Sequence, residues 1–184
     1  MGLFDNIGAP PAQNTQQSLG NKTVDVVFAK LPDNFAEFTA LPQAAMDDPF
    51  KTAALTVLAL CFYPQDKDAC IQMLNFLKGP QPLSTYEQQF LADRFRDADY
   101  VPRSYFVGAV PGNDYKPAQP YTVRVSENPY SYQDSGYAKL YLQSGGADSP
   151  RPIQLRLAKD GKWYLWEQFL LAGIRPPEST NPWA

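Results

Sequence analysis

The chain has 184 residues, 44% of them apolar and 19% charged, with a formal charge of -3 and no histidine. That length and apolar share suffice for one domain with its own core, and the acidic balance argues against nucleic acid, whose binding is driven by basic residues displacing counterions. The missing histidine excludes Ser-His-Asp and Cys-His nucleophiles and removes the commonest metal ligand; no Cys/His zinc spacing and no calcium-loop ladder are present, so neither metal nor cofactor is expected.

Residues 1–20 are expected to form a tail. Pro10-Pro11 and Gln13-Asn14-Thr15-Gln16-Gln17 have no apolar period, though Leu3, Phe4 and Ile7 are candidates to dock on a partner or on the domain itself. The start lacks a basic region followed by a long apolar stretch, and Asn6 breaks the myristoylation pattern, so no secretory leader or lipid anchor is expected. A single domain is expected over residues 21–176, with a C-terminal tail over 177–184.

Residues 23–29 read as a strand, with Val24, Val26 and Phe28 alternating against Thr23, Asp25 and Val27. Helices follow, each with its own start signal. Asn34 with Glu37 is a capping-box pattern before a short helix holding Phe35 and Phe38. Asp48-Pro49 sets an N-cap and a proline at the first helical position, for a helix that ends before Pro64. Its apolar run, residues 53–63 broken only by Thr56, is far short of the ~20 residues that span a bilayer, so no membrane partner is expected. Asp66 caps a helix with Cys70, Met73, Leu74 and Leu77 at helical spacing, stopped by Gly79-Pro80. Ser84 and Glu87 form a capping box that opens a helix with Phe90, Leu91 and Phe95 inward. Cys61 and Cys70 sit in apolar helical context and read as free core thiols, which points to the cytoplasm.

After Asp99 the pattern changes to strands, at residues 104–110, 121–127, 136–143, 153–159 and 162–170, joined by connections rich in Pro, Gly, Asn and Asp. Asp160-Gly161 reads as a two-residue hairpin turn. That turn sets Ile153, Leu155 and Leu157 on one face with Tyr164, Trp166 and Gln168. Nine of eleven Phe precede Asp99 and nine of eleven Tyr follow it; Phe suits a dry helix interface and Tyr a face with one wet end. The expected fold is therefore α+β, with an N-terminal helical half packed on one face of an antiparallel β-meander of about five strands.

Candidate ligand residues lie in the loops of the second half. Arg103, Tyr105, Tyr130, Tyr132 and Arg151 flank strand ends, with Glu127 opening the connection Glu127-Asn128-Pro129-Tyr130-Ser131-Tyr132. Tyr rings and Arg forks suit a sugar, a carboxylate or a phosphorylated ligand, or else they satisfy loop carbonyls. Ser144-Gly145-Gly146-Ala147-Asp148-Ser149-Pro150-Arg151 offers an anion cradle with Arg151 as its clamp; an ordinary loop with Asp148 bonding its own backbone is the other reading. Asp93, Asp97 and Asp99 interleave with Arg94 and Arg96, which reads as local ion pairing.

The strings Pro49-Phe50-Lys51-Thr52-Ala53-Ala54-Leu55-Thr56-Val57, Leu74-Asn75-Phe76-Leu77-Lys78-Gly79-Pro80 and Trp163-Tyr164-Leu165-Trp166-Glu167-Gln168-Phe169 resemble a family of uncharacterised proteins, a domain of unknown function, from clostridia-like Firmicutes. The resemblance spans about residues 22–184 and implies a bacterial, soluble, stand-alone protein; it carries no catalytic or ligand residue. In fold alone, helices before a late antiparallel sheet are similar to the cone-like arrangement of nuclear transport factor 2. The functional expectation is a non-catalytic module for an unknown protein or a small polar ligand. The alternatives are an enzyme using carboxylates and Tyr on a carbohydrate or small polar ligand, and a structural subunit of a homo-oligomer.

Overall fold

The computed structural model describes residues 21–183; the expectations for residues 1–20 fall outside them. Strand β1 (Thr23–Phe28) leads into α1 (Phe35–Thr39), α2 (Pro49–Cys61), α3 (Lys67–Lys78) and α4 (Thr85–Phe95). Four strands follow, β2 (Tyr121–Ser126), β3 (Tyr137–Leu142), β4 (Arg151–Leu157) and β5 (Trp163–Gln168). They form one antiparallel sheet in the order β1-β2-β3-β4-β5. The fold is α+β, as the sequence predicts.

The helices start where side chains take their first free N–H groups. Asp48 accepts from Phe50 N–H at 2.8 Å and Asp66 from Ala69 N–H at 3.0 Å, each stabilising its helix by ~1 kcal/mol. The Ser84–Glu87 box closes in both directions. At α1 the box is offset: Asn34 accepts from Glu37 N–H, but the Glu37 carboxylate reaches back one residue further, to Asp33 N–H.

Helix α2 is the axis of the core. Every residue from Thr52 to Leu60 is buried, because the sheet lies on one side and α3 on the other. The sheet offers it Val26, Val123, Val125, Leu140, Ile153 and Leu155, all buried. Burial at ~25 cal/mol per Å² makes this interface the main stabilising element. Thr52 hydroxyl donates to Trp163 O at 2.7 Å and Thr56 hydroxyl to Thr52 O at 2.9 Å, so neither buried hydroxyl is orphaned. Cys70 is buried and Cys61 half-buried, both free; loss of water around each pushes its thiol up to about 12.

Two strand expectations are corrected. Residues 104–110 are not a strand. Pro102–Tyr105 is a 3-10 turn, and Ser104, Tyr105 and Phe106 are all buried, which a pleated strand with one wet face does not allow. Only a bridge from Phe106 to Val123 and a bond from Val107 N–H to Thr122 O join this segment to β2. The fifth strand is instead β1, on the far side of β2.

The β4–β5 turn is the second correction. Ala158 N–H bonds Lys162 O and Gly161 N–H bonds Ala158 O, making a three-residue loop with Gly161 at φ 81°. That shifts the register by one, so Leu155 faces Leu165 and Arg156 faces Tyr164. A bulge at Trp166 takes up the extra residue, and the predicted pairs Gln154–Glu167 and Ile153–Gln168 return beyond it.

Candidate functional site

The seven sequence candidates separate into four places. Tyr105 is buried and its hydroxyl donates to Leu170 O. Burial raises its phenol well above the usual range. Arg151 donates to Ala172 O at 3.1 Å, Gly173 O at 2.8 Å and Ser149 O at 3.0 Å, and Asp148 pairs with Arg175 at 2.9 Å. These three residues pin the segment after β5, with help from Tyr115, which donates to Arg175 O. Glu127 and Tyr132 meet elsewhere, near the start of α2: partial burial raises the Tyr132 phenol most, and the Glu127 and Asp48 carboxylates raise it further. Tyr130 is exposed at the mouth of a pocket on the open sheet face. Arg103 stands apart, half-buried, close enough to Cys61 to offset part of the desolvation of its thiol.

The glycine loop is packed from both sides. A Cβ on Gly145 would lie 1.9 Å from Ala109 O, and one on Gly146 would lie 2.1 Å from the Tyr115 hydroxyl oxygen. Gly145 N–H donates to Ser104 O and Gly146 N–H to Ser144 Oγ. The glycines thus permit close backbone approach, and the N–H groups that an anion cradle needs are bonded within the protein.

A groove that the sequence reading did not assemble lies between α3, α4 and β5. It encloses about 290 Å³. Leu83, Tyr86 and Phe90 form one wall; Trp166 and Phe169 form the other. Tyr86 is 75% exposed and Phe169 47%, so two large rings stand at the rim without cover from the described residues. Lys78, only 8% exposed, also lines it. Its ammonium donates to Glu87 Oε1 at 2.9 Å and Trp166 O at 3.2 Å. An ammonium carries three N–H donors, so one is left over. The position suits a cation, because the last turn of α3 presents unpaired carbonyls.

Local structure explains how these groups meet. The capping box fixes Glu87 at the third residue of α4, where its second oxygen accepts from Ser84 N–H at 2.8 Å. Partial burial pushes the Glu87 carboxyl upward, but Ser84 N–H and the Lys78 ammonium outweigh it, and the group sits below the usual carboxylate range. The bulge in β5 re-aims Trp166: its carbonyl goes to Lys78, and its ring meets the Arg156 guanidinium at 4.8 Å and Tyr137 edge-on at 5.7 Å. The signal available in the sequence was Tyr86 and Phe90 four apart on α4, a second aromatic stripe beside Leu91 and Phe95.

No group of three or more His, Cys, Asp or Glu side chains able to hold a metal occurs among the described residues. No helix among them is long and apolar enough to cross a membrane. Neither a curated protein nor a solved structure matches the chain. A family model does, over residues 30–178, and by it the chain belongs to the family described as domain of unknown function DUF6935.

Proposed function

We propose that the chain is a non-catalytic binding module whose α3–α4–β5 groove holds a small amphipathic ligand, with an apolar ring between Tyr86 and Phe169 and a carbonyl oxygen on Lys78. The observation that carries this reading is the Lys78 ammonium, buried at the groove with one donor beyond those given to Glu87 and Trp166. An apolar pocket with a few convergent polar groups is the usual form of a small-molecule site. Glu87 balances the Lys78 charge, which favours a neutral acceptor over a carboxylate.

The alternative is a carboxylate-based enzyme, and the electrostatics support it less. Each carboxyl with a resolved shift, Asp25, Asp47, Glu87 and Asp160, moves down. A general acid needs a carboxyl held protonated near neutrality, which requires the opposite shift. An oligomer that covers Trp183, 93% exposed, is a further reading; a monomer mass by light scattering at high concentration would count against it. A cytoplasmic setting is proposed on the two unpaired thiols, and a bacterial one on the sequence resemblance alone.

The groove reading is tested by a fragment screen followed through the chain's tryptophan fluorescence, with Trp163→Phe and Trp183→Phe isolating the Trp166 emission. Aromatic amides are expected to change the emission, and Phe90→Ala to weaken their binding by about tenfold, the equivalent of ~1.4 kcal/mol. Fragments that bind equally well to Phe90→Ala would place the site elsewhere.

A further inference from the structure

The sheet face opposite α2 carries a second pocket, of different chemistry. It encloses about 230 Å³ beneath the connection between β2 and β3. Two backbone bonds fix that cover: Lys139 N–H donates to Ser131 O at 2.8 Å, and Tyr137 N–H to Asp134 O at 3.0 Å. Ser131 is 3% exposed. Its hydroxyl accepts from Asn128 N–H at 2.9 Å and keeps its own proton to donate.

Tyr137, Lys139 and Tyr141 of β3 and Gln154 of β4 line the pocket from the strands. The two-residue strand period puts the three β3 side chains on one face, and the register sets Gln154 opposite Lys139. The Tyr137 ring is already oriented, by Trp166 edge-on and by the Arg156 guanidinium 5.4 Å over its centre. Among the described residues, the Tyr137 and Tyr141 hydroxyls, the Lys139 ammonium and the Gln154 amide make no side-chain hydrogen bond. Around Arg151 and Tyr105, by contrast, the donors are engaged with backbone carbonyls.

This inventory selects a ligand class. Hydroxyl and amide groups side by side both donate and accept, which matches a ligand whose own groups do both. Lys139 and Asp134 both line the pocket, and their charges cancel, so a net anion or cation gains little. Phenol rings supply flat apolar surface for C–H groups. We propose that this pocket binds a saccharide ring, with its hydroxyls on Gln154, Lys139 and Ser131 and its C–H face against Tyr141.

The test is an amide-resolved NMR titration of the full chain with glucose, galactose, mannose and N-acetylglucosamine. Aspartate and glycerol phosphate serve as charged comparisons, each ligand taken to about 50 mM, which covers millimolar affinity. At least one saccharide is expected to shift residues 128–141 and 154, and Tyr141→Ala and Gln154→Ala are each expected to weaken it by about tenfold. Both side chains are partly exposed, and the spectrum of each variant reports its folding. No saccharide shift at those residues, shifts with the charged comparisons alone, or binding indifferent to both variants would overturn the proposal.

Discussion

The Lys78–Glu87 pair gives an asymmetric prediction. In Glu87→Gln the ammonium stays 8% exposed with the Trp166 carbonyl and no anion. Breaking a fully buried pair costs ~3–5 kcal/mol. The Glu87 side chain is 38% exposed, so water screens the loss and a cost of about 2 kcal/mol is expected. At ~2–4 °C per kcal/mol for a chain of this size, the Tm falls by about 4–8 °C. Lys78→Met keeps the apolar stem and removes the charge that has to be desolvated; Glu87 retains Ser84 N–H and water. The expected loss is under about 1 kcal/mol. The Glu87 carboxyl lies lower in the folded chain than in the unfolded one, so its contribution is full above ~4.3, the ordinary value, and disappears as the pH falls through the folded value. Thermal unfolding followed by circular dichroism should show a constant gap between the parent and Glu87→Gln from pH 7 to about 5, closing below about 4. A Tm at pH 7 lowered as much by Lys78→Met as by Glu87→Gln, or a gap undiminished at pH 3, would show that the buried ammonium does not depend on the Glu87 charge.

Three further outcomes follow from the packing. Gly145→Ala puts a methyl into a backbone carbonyl and should cost about 3 kcal/mol in urea unfolding, whereas Gly136→Ala, strained at φ 81° but with open space around it, should cost about 1–2 kcal/mol; equal losses would contradict the role given to Gly145. Arg151→Met removes the donors that hold Ala172 and Gly173, so hydrogen exchange over residues 170–176 should accelerate while α2 stays protected; an unchanged rate would show that the tyrosines suffice. With its side chain fully buried and its thiol pushed up to about 12, Cys70 should react with a disulfide reagent at pH 8 only after denaturant is added, and rapid labelling of Cys70 in the native chain would count against its burial.

What the sequence made legible was local. Asp48, Asp66 and Ser84 each bond an N–H two or three residues on, so a short window contains the whole signal. The Asp160-Gly161 turn was visible, but its length was not: Gly161 tolerates both a two-residue and a three-residue loop, and the bulge at Trp166 that compensates has no marker of its own. Residues 104–110 alternate well enough to pass for a strand, and only the tertiary burial of three successive side chains rules it out. The groove was hidden because Lys78 reaches Glu87 across nine residues and the Trp166 carbonyl across 88. Arg151 and Tyr105 stood out as side chains in need of acceptors. The acceptors they find are the Ser149 carbonyl and hydroxyl and the backbone carbonyls of Leu170, Ala172 and Gly173, which composition never displays.

One titration decides whether the Lys78 ammonium donates to a ligand carbonyl in the groove. The full chain, labelled at its lysine side chains, would be titrated with N-acetyl-phenylalanine amide. The Lys78 ammonium is expected to shift on binding, and Lys78→Met to weaken the affinity by about tenfold while remaining folded. Binding that leaves the Lys78 signal in place, or that Lys78→Met does not weaken, would contradict that donation.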